Sequence, residues 1–206
     1  MNNLIENFAN EYFPSTSSNG QVVESRGLRL LCLGNPERSI QGELYSYLRS
    51  SRVNAVAECA LSSDSSDLCS RRNIDIVVFD DQWNPSVAIE IKHYSGNQGR
   101  INTLLANLEE DLNKHKESAA VSLDIIQLGI YTSIQAIDES DISKICENGF
   151  YRFLSTYCVN KPPTYCDGNI AGYRSHKSTF LTFSVNNKSV IGSVLLLWRR
   201  VNSDKS

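Results

Sequence analysis

The chain has 206 residues, of which 41% are apolar and 21% are charged, a balance typical of a soluble domain with a substantial core. The formal net charge of −3 excludes a global positive field, so a nucleic-acid partner would require a local basic patch. Apolar runs such as 193–198 are too short to span a bilayer, and the first residues lack the pattern of a signal peptide. We therefore expect a cytoplasmic protein with no membrane partner.

The chain contains six cysteines, and no two of them are separated by only two residues as in common zinc sites: Cys32, Cys59, Cys69, Cys146, Cys158 and Cys166. In a reducing cytosol we expect these residues to be free thiols. The alternative is a structural zinc site that combines Cys158 and Cys166 with His176, although their spacing fits no common zinc pattern.

The first third of the chain predicts two helices, one extended segment and one strand. Apolar residues at helical spacing, such as Leu44, Tyr47 and Leu48, predict the second helix, and Glu43 lies away from their stripe. In chain order we expect a helix over 2–13, a linker over 15–20, an extended segment over 21–33 interrupted at Gly27, a helix over Pro36–Ser50, a strand over 53–61 and a polar loop over 62–70.

Two apolar runs in the middle of the chain predict the strongest strands, over 74–79 and 87–94. The segment between them contains Asn84-Pro85, which is a turn signal, and we expect Asp80 to belong to this turn. Because the connection is short, the two strands are predicted to form an antiparallel hairpin.

The remainder of the chain also alternates between helical and extended patterns. Leucines at helical spacing predict a helix over 100–117, and an apolar run over 123–132 predicts a central strand. A helix over 140–154, a loop over 160–178 and a hairpin with strands over 179–185 and 190–198 complete the expected elements. This order predicts the α/β class, with a mixed β-sheet flanked by helices.

Charged side chains interrupt the two strongest strands at Asp75, Glu90 and Lys92. Glu90 and Lys92 share one face of their strand, whereas Ile91 and His93 point to the other face. Pairing of the strands would bring Asp75 beside Glu90, and a charge among apolar residues is costly unless it is paired or bound to a metal. Two carboxylates beside an ammonium favour a divalent cation that activates water. The alternative is a half-exposed hairpin in which these charges form a salt bridge.

The chain resembles the PD-(D/E)XK phosphodiesterases, the restriction-endonuclease-like superfamily, in Asp75, in Glu90-Ile91-Lys92 and in the order helix, strand, strand, strand, helix, strand. The resemblance implies that Asp75, Glu90 and Lys92 are catalytic. It also implies that Asp75, Glu90 and the backbone carbonyl of Ile91 bind Mg²⁺, for which Mn²⁺ would substitute. Lys92 would orient or deprotonate the water, or pair with the phosphate. Ile74 replaces the proline of the family motif.

The resemblance extends to two further residues. Family members often carry a glutamate on the helix before the first core strand, and Glu43 matches this position as a further metal ligand. Some branches carry a glutamine after the E-x-K strand, and Gln98 matches that position as a candidate nucleic-acid contact.

Basic residues near the predicted site are candidate contacts to phosphate groups: Arg71, Arg72, Arg100, Lys114 and Lys116. Arg100 opens a predicted helix, where backbone N–H groups also favour an anion. Aromatic and basic side chains that could grip a single strand cluster later in the chain: Tyr165, Tyr173, Arg174, His176 and Lys177. The alternatives are ordinary solvated charges for the first group and a loop packed on the core for the second.

Together these features predict a Mg²⁺-dependent nuclease that hydrolyses phosphodiester bonds in nucleic acid, with DNA as the expected substrate. We expect one nuclease-like domain over 1–206, with a restriction-endonuclease-like core over 36–132 and an elaboration of helix, loop and hairpin over 133–206. A homodimer would suit this function, because cleavage of both DNA strands usually needs two active sites.

Two alternatives to a nuclease remain open. One is a non-catalytic module on the same fold that binds nucleic acid or a protein, and the other is an immunity-type inhibitor whose acidic surface meets a basic toxin. Convergence of Asp75, Glu90 and Lys92 in an accessible cleft would favour the nuclease, whereas a closed arrangement would favour the alternatives.

Overall fold

Helices and strands alternate along the part of the chain that the computed structural model describes, namely residues 1–14, 25–60, 73–95, 98–118, 123–135, 158–159, 170, 172–185 and 188–201. The helices in this part are α1 (Asn2–Tyr12), α2 (Arg26–Leu31), α3 (Pro36–Ser50) and α4 (Gln98–Ser118). The strands are β1 (Asn54–Ala60), β2 (Asn73–Phe79), β3 (Pro85–Ser95), β4 (Asp124–Gln135), β5 (Cys158–Val159), β6 (Arg174–Val185) and β7 (Lys188–Val201). Among these residues, no helix is both long and apolar enough to cross a membrane.

The strands of the described residues form one mixed sheet, in the order β1-β2-β3-β4-β7-β6, and β5 pairs with the end of β4. The β1–β2 and β2–β3 pairs are antiparallel, the β3–β4 pair is parallel, and β7 is antiparallel to both β4 and β6. Helix α4 is the crossover that a parallel pair requires. The predicted α/β class, the antiparallel hairpin of β2 and β3 and the central position of β4 are confirmed.

The two faces of the sheet pack against different helices. On one face, Ile89 and Ile91 of β3 belong to a large core cluster with residues of α1, α2 and α3. On the other face, Ala88 of β3 packs with Leu112 of α4. Because side chains alternate along a strand, Glu90 and Lys92 follow Ala88 toward α4.

Helix α3 begins and ends where the sequence predicted. The side-chain oxygen of Asn35 caps the helix by accepting a hydrogen bond from the backbone N–H of Arg38 at 3.2 Å, and Pro36 occupies the first turn. At the other end, Arg52 adopts a positive φ of 61°, which turns the chain toward β1. These local signals explain why the bounds of α3 could be read from the sequence.

The prediction of an extended segment over 21–33 was wrong for α2, and residues 21–24 lie outside the described part of the chain. The Ser25 hydroxyl caps α2 by accepting a hydrogen bond from the Leu28 N–H at 3.1 Å. Gly27 lies against the buried ring of Phe13, and a Cβ at this position would approach the ring to 2.3 Å. The glycine therefore permits close packing of a helix rather than interrupting a strand.

The predicted loop over 160–178 was wrong at its end, because β6 begins at Arg174, which pairs with Trp198 of β7. The first residues of β6, over 174–178, are polar, so the apolar pattern predicted a strand only from 179 onward. The predicted linker over 15–20, loop over 62–70 and helix over 140–154 lie outside the described residues.

Candidate functional site

The Asp75 carboxylate bridges strands β2 and β3. The residue pairing of these strands runs from Phe79–Pro85 to Ile76–Ile89. At the next position, Oδ2 of Asp75 accepts a hydrogen bond from the Ile91 N–H at 2.7 Å. The side chain thereby contacts the β3 backbone in the segment that carries Glu90, and the two carboxylates become electrostatic neighbours.

Burial and charge leave this carboxylate pair short of positive charge. Burial, and then the neighbouring Glu90 carboxylate, raise the pKa of Asp75 to about 7, although the Ile91 N–H and the Lys92 ammonium act in the opposite direction. Glu90 itself is buried, with 6% of its surface exposed. Near neutral pH, Asp75 therefore retains a proton in a substantial fraction of molecules, and a cation beside the pair would displace it.

Lys92 extends to α4, where its Nζ lies 3.1 Å from Oδ2 of Asp111. Burial acts to lower the pKa of Lys92, but the hydrogen bond with Asp111 and the charges of Glu37, Asp111 and Glu90 outweigh burial and raise this pKa. About a quarter of the Lys92 side chain, 26%, is exposed. The charged pair is thus formed across the sheet–helix interface, with a partner that the sequence patterns did not indicate.

Helix α3 contributes two side chains to the opposite side of the β2–β3 junction. Nε2 of Gln41 donates to the backbone carbonyl of Asp75 at 2.8 Å, and Oε2 of Glu37 accepts from the His93 N–H at 3.1 Å. The two residues are four apart and share one face of the helix. The charge of Glu37 acts on both Asp75 and Lys92, so Glu37 is the acidic residue of α3 at this site.

The structure places Glu43 away from Asp75. Glu43 follows Gln41 by two residues, which corresponds to about 200° around the helix. Its Oε2 accepts a hydrogen bond from the Tyr12 hydroxyl at 3.1 Å, and this contact joins α3 to α1. The apolar stripe of α3 located its buried face, but the stripe did not reveal which acid lies next to the strands. The proximity of Glu37 to the strands follows from the contact of Gln41 with Asp75, which no local pattern in the sequence indicates.

We expect Glu37→Gln to weaken Mg²⁺ binding about 3- to 10-fold, because it removes one negative charge from the neighbourhood of Asp75. The matched variant Glu43→Gln removes the same charge from the same helix and should leave Mg²⁺ affinity unchanged. Thermal unfolding at increasing Mg²⁺ concentration measures both effects. If Mg²⁺ raised the melting temperature less in Glu43→Gln than in the wild type, and Glu37→Gln behaved like the wild type, then Glu43 and not Glu37 would be the acid of α3 that favours the cation.

His93 points to the face of the sheet opposite Lys92, where it pairs in register with buried Ile130. Its Nε2 lies 3.2 Å from the Thr132 hydroxyl. Burial lowers the pKa of His93 to about 4, so the imidazole is neutral at pH 7. His93 is therefore a packed residue and stands apart from the carboxylate pair.

The candidate phosphate contacts are only partly described. Arg71, Arg72 and the side chains of Gln98, Arg100 and Lys116 lie outside the described residues. Lys114 pairs with Glu110 and, at 3.5 Å, with Asp111. Its contacts are those of a charge on a solvated helix face.

The described members of the late aromatic and basic cluster pack against the domain. Tyr173 is 1% exposed, and its hydroxyl donates to Oε1 of Gln127 at 2.8 Å. Arg174 lies 3.6 Å from Glu6, and the His176 ring contacts the Phe13 carbonyl. These contacts favour the packed interpretation of this segment over a stacking platform. Tyr165, Cys166 and the side chain of Cys158 lie outside the described residues, and with them the alternative zinc site.

A divalent cation is compatible with the donors around Asp75. In the described part of the chain, no three His, Cys, Asp or Glu side chains are grouped to hold a metal ion. Mg²⁺ does not require such a group, since it commonly takes one or two carboxylates and keeps several waters. Asp75 and Glu90 supply two neighbouring carboxylates of this kind.

Comparisons of the chain with protein-family models, curated proteins and solved structures found no match. The resemblance to the restriction-endonuclease-like superfamily therefore stays a prediction. Function has to be inferred from Asp75, Glu90 and Lys92 and from the residues that surround them.

Proposed function

We propose that this protein is a Mg²⁺-dependent nuclease that hydrolyses phosphodiester bonds in DNA, with Asp75, Glu90 and Lys92 in its active site. One observation carries the proposal. Two carboxylates from adjacent strands are electrostatic neighbours in a half-buried site, with a lysine ammonium close by, and the pKa of Asp75 is raised to about 7. Perturbed carboxylates of this kind are characteristic of sites that bind a cation or move a proton.

The distribution of charge favours a cation at this site. Four acids influence one another or Lys92 electrostatically at this site: Asp75 on β2, Glu90 on β3, Glu37 on α3 and Asp111 on α4. A phosphate group would be repelled by this excess of negative charge unless a cation offset it. Mg²⁺ held by Asp75, Glu90 and the Ile91 carbonyl would supply the positive charge that neutralises the phosphate and makes water acidic. Mn²⁺ has the same preference for oxygen ligands and should substitute.

The residues of the chain divide the remaining tasks. The Lys92 ammonium donates hydrogen bonds to phosphate oxygens and so stabilises negative charge in the transition state. Gln41 fixes the β2 backbone at Asp75, and Glu37 fixes β3 at His93. These two hydrogen bonds fix the positions of β2 and β3 relative to α3. The two carboxylates therefore need to move little during the reaction.

The order of elements supports the restriction-endonuclease-like assignment within this proposal. Helix α3 is followed by β1, β2 and β3, then by α4 and β4, which is the order that the resemblance implies. The proposal of DNA as substrate, and of a homodimer that pairs two sites for double-strand cleavage, rests on this resemblance.

A second candidate, a non-catalytic module of the immunity type, is favoured by one observation: Lys92 is engaged by Asp111. Such a module would need its acids at the surface to meet a basic partner. Glu90 is 6% exposed, which a metal ion can accommodate more readily than a protein side chain can. We therefore prefer the nuclease.

Incubation of the protein with plasmid DNA, linear DNA and RNA in Mg²⁺, Mn²⁺ or EDTA tests the proposed function. We expect cleavage of DNA in either metal and none in EDTA. The circular and linear substrates distinguish internal cleavage from digestion at ends. Absence of cleavage in every combination, together with unchanged thermal stability on addition of either metal, would rule out the nuclease and leave the binding module.

A further inference from the structure

Close packing of α4 against the sheet brings Asp111 to Lys92. Lys92 pairs in register with Gly129 of β4, and a Cβ at Gly129 would lie 3.1 Å from the Leu108 side chain of α4. A side chain at 129 would press on the Leu104 and Leu108 side chains, which would have to shift by a few tenths of an ångström. The absence of a side chain beside Lys92 therefore allows α4 to approach the strand that carries it.

The Asp111 carboxylate lies between two ammonium groups. Its Oδ2 is 3.1 Å from Nζ of Lys92, and its Oδ1 is 3.5 Å from Nζ of Lys114. Only 21% of the Asp111 side chain is exposed, whereas its neighbour Glu110 has 62% exposed and pairs with Lys114. Partial burial strengthens the contact to Lys92 relative to an ion pair in water.

Acids from three elements face the Lys92 ammonium. Glu37 comes from α3, Glu90 from β3 itself and Asp111 from α4, and their charges favour its protonated form. Asp111 is the partner that makes the direct contact. Because the Lys92 and Asp111 side chains are both largely buried, this contact restricts the positions that the ammonium can take.

We propose that Asp111 is a positioning residue that holds the Lys92 ammonium in place as a hydrogen-bond donor to the scissile phosphate. This inference rests on the proposed nuclease function. In the hydrolysis, the water oxygen bonds to phosphorus as one P–O ester bond breaks. The proton of the water passes to solvent, and the leaving alkoxide takes a proton from solvent.

The experiment compares Asp111→Asn with the matched control Glu110→Gln, which removes the same charge from the adjacent position on α4. We expect Asp111→Asn to lower kcat about 10-fold with little change in KM, because the donor is no longer held in place. Glu110→Gln should keep wild-type kcat.

A second variant tests the role of the carboxylate without changing its charge. Asp111→Glu keeps a carboxylate on α4 as a partner for Lys92, so it should recover part of the kcat that Asp111→Asn loses.

Three results would count against the inference. Wild-type protein that cleaves DNA, with equal kcat in Asp111→Asn, would remove the positioning role and leave the nuclease intact. An equal loss of kcat in Asp111→Asn and Glu110→Gln would show a general effect of charge on α4 and remove the specific role of Asp111. Wild-type protein that cleaves no nucleic acid would overturn the proposed function, and the positioning role with it.

Discussion

Asp75→Asn should lower Mg²⁺-dependent hydrolysis about 10³-fold, because it removes one of the two carboxylates that would hold the cation. The substituted amide keeps the size of the side chain and an oxygen that can accept from the Ile91 N–H. The fold should therefore persist while the metal response is lost. Calorimetric titration with Mn²⁺ and a cleavage assay measure the two losses separately, and equal Mn²⁺ affinity in the variant and the wild type would remove Asp75 as a ligand.

The same substitution should change how stability depends on pH. The folded-state pKa of Asp75 is raised from 3.8 to about 7, so the folded protein binds the proton more tightly than the unfolded chain does. Its contribution to stability is fully present below about pH 4 and is lost as the pH rises toward 7. The size of this loss in metal-free protein is on the order of a few kcal/mol at most, since partial exposure of the site screens the charges.

Chemical denaturation of metal-free protein between pH 4 and pH 8 measures this contribution. The wild type should lose more stability across the interval than Asp75→Asn does. If the free energy of unfolding changed with pH in the same way in the two proteins, the pKa of Asp75 would not be raised in the folded protein. Addition of Mg²⁺ at pH 8 should stabilise the wild type more than at pH 6, because the cation competes with the proton of Asp75.

Lys92→Met should lower kcat about 10²- to 10³-fold while Mg²⁺ binding persists, because methionine keeps an apolar side chain of similar length but cannot donate to phosphate. This outcome differs from that of Asp75→Asn, in which cleavage and metal binding fail together. Loss of the ion pair leaves the Asp111 carboxylate with Lys114, so we expect a modest decrease in melting temperature.

Arg49→Met is the matched control for Lys92→Met, since it removes one positive charge from the exposed end of α3. It should retain both cleavage and metal binding. An unfolded Lys92→Met protein, beside a folded Arg49→Met protein, would indicate that Lys92 has a structural role in joining β3 to α4.

The sequence could predict the part of the site that depends on strand periodicity. Alternation along a strand places Glu90 and Lys92 on one face, and the short turn after Asp80 brings β2 back beside β3. The structure shows this turn closed by the Asp80 carboxylate, which accepts from the N–H groups of Gln82 and Asn84. Both signals are local, so a single sequence contains them.

The remaining parts of the site depend on contacts between elements that are distant in the chain. Asp111 reaches Lys92 only because α4 packs over β3 and β4, and no local pattern specifies the rotation of α4. The choice between Glu37 and Glu43 has the same origin, because a helical stripe locates the buried face but not the strand beneath each turn. The short apolar run of α2 is ambiguous for a related reason, since its identity depends on packing against Phe13.

The position of β4 in the sheet has a consequence for how the protein reaches its native state. β4 lies between β3 and β7, and Leu128 and Ile130 of β4 pair with Trp198 and Leu196 of β7. During synthesis the ribosome releases the strands of the site well before it releases β7. Until then the backbone N–H and C=O groups on this edge of β4 have no β7 to pair with, and the apolar strand can pair with a strand of another molecule. A chain cut after Gln135 would retain this hazard permanently, so aggregation should precede any loss of local structure around Asp75.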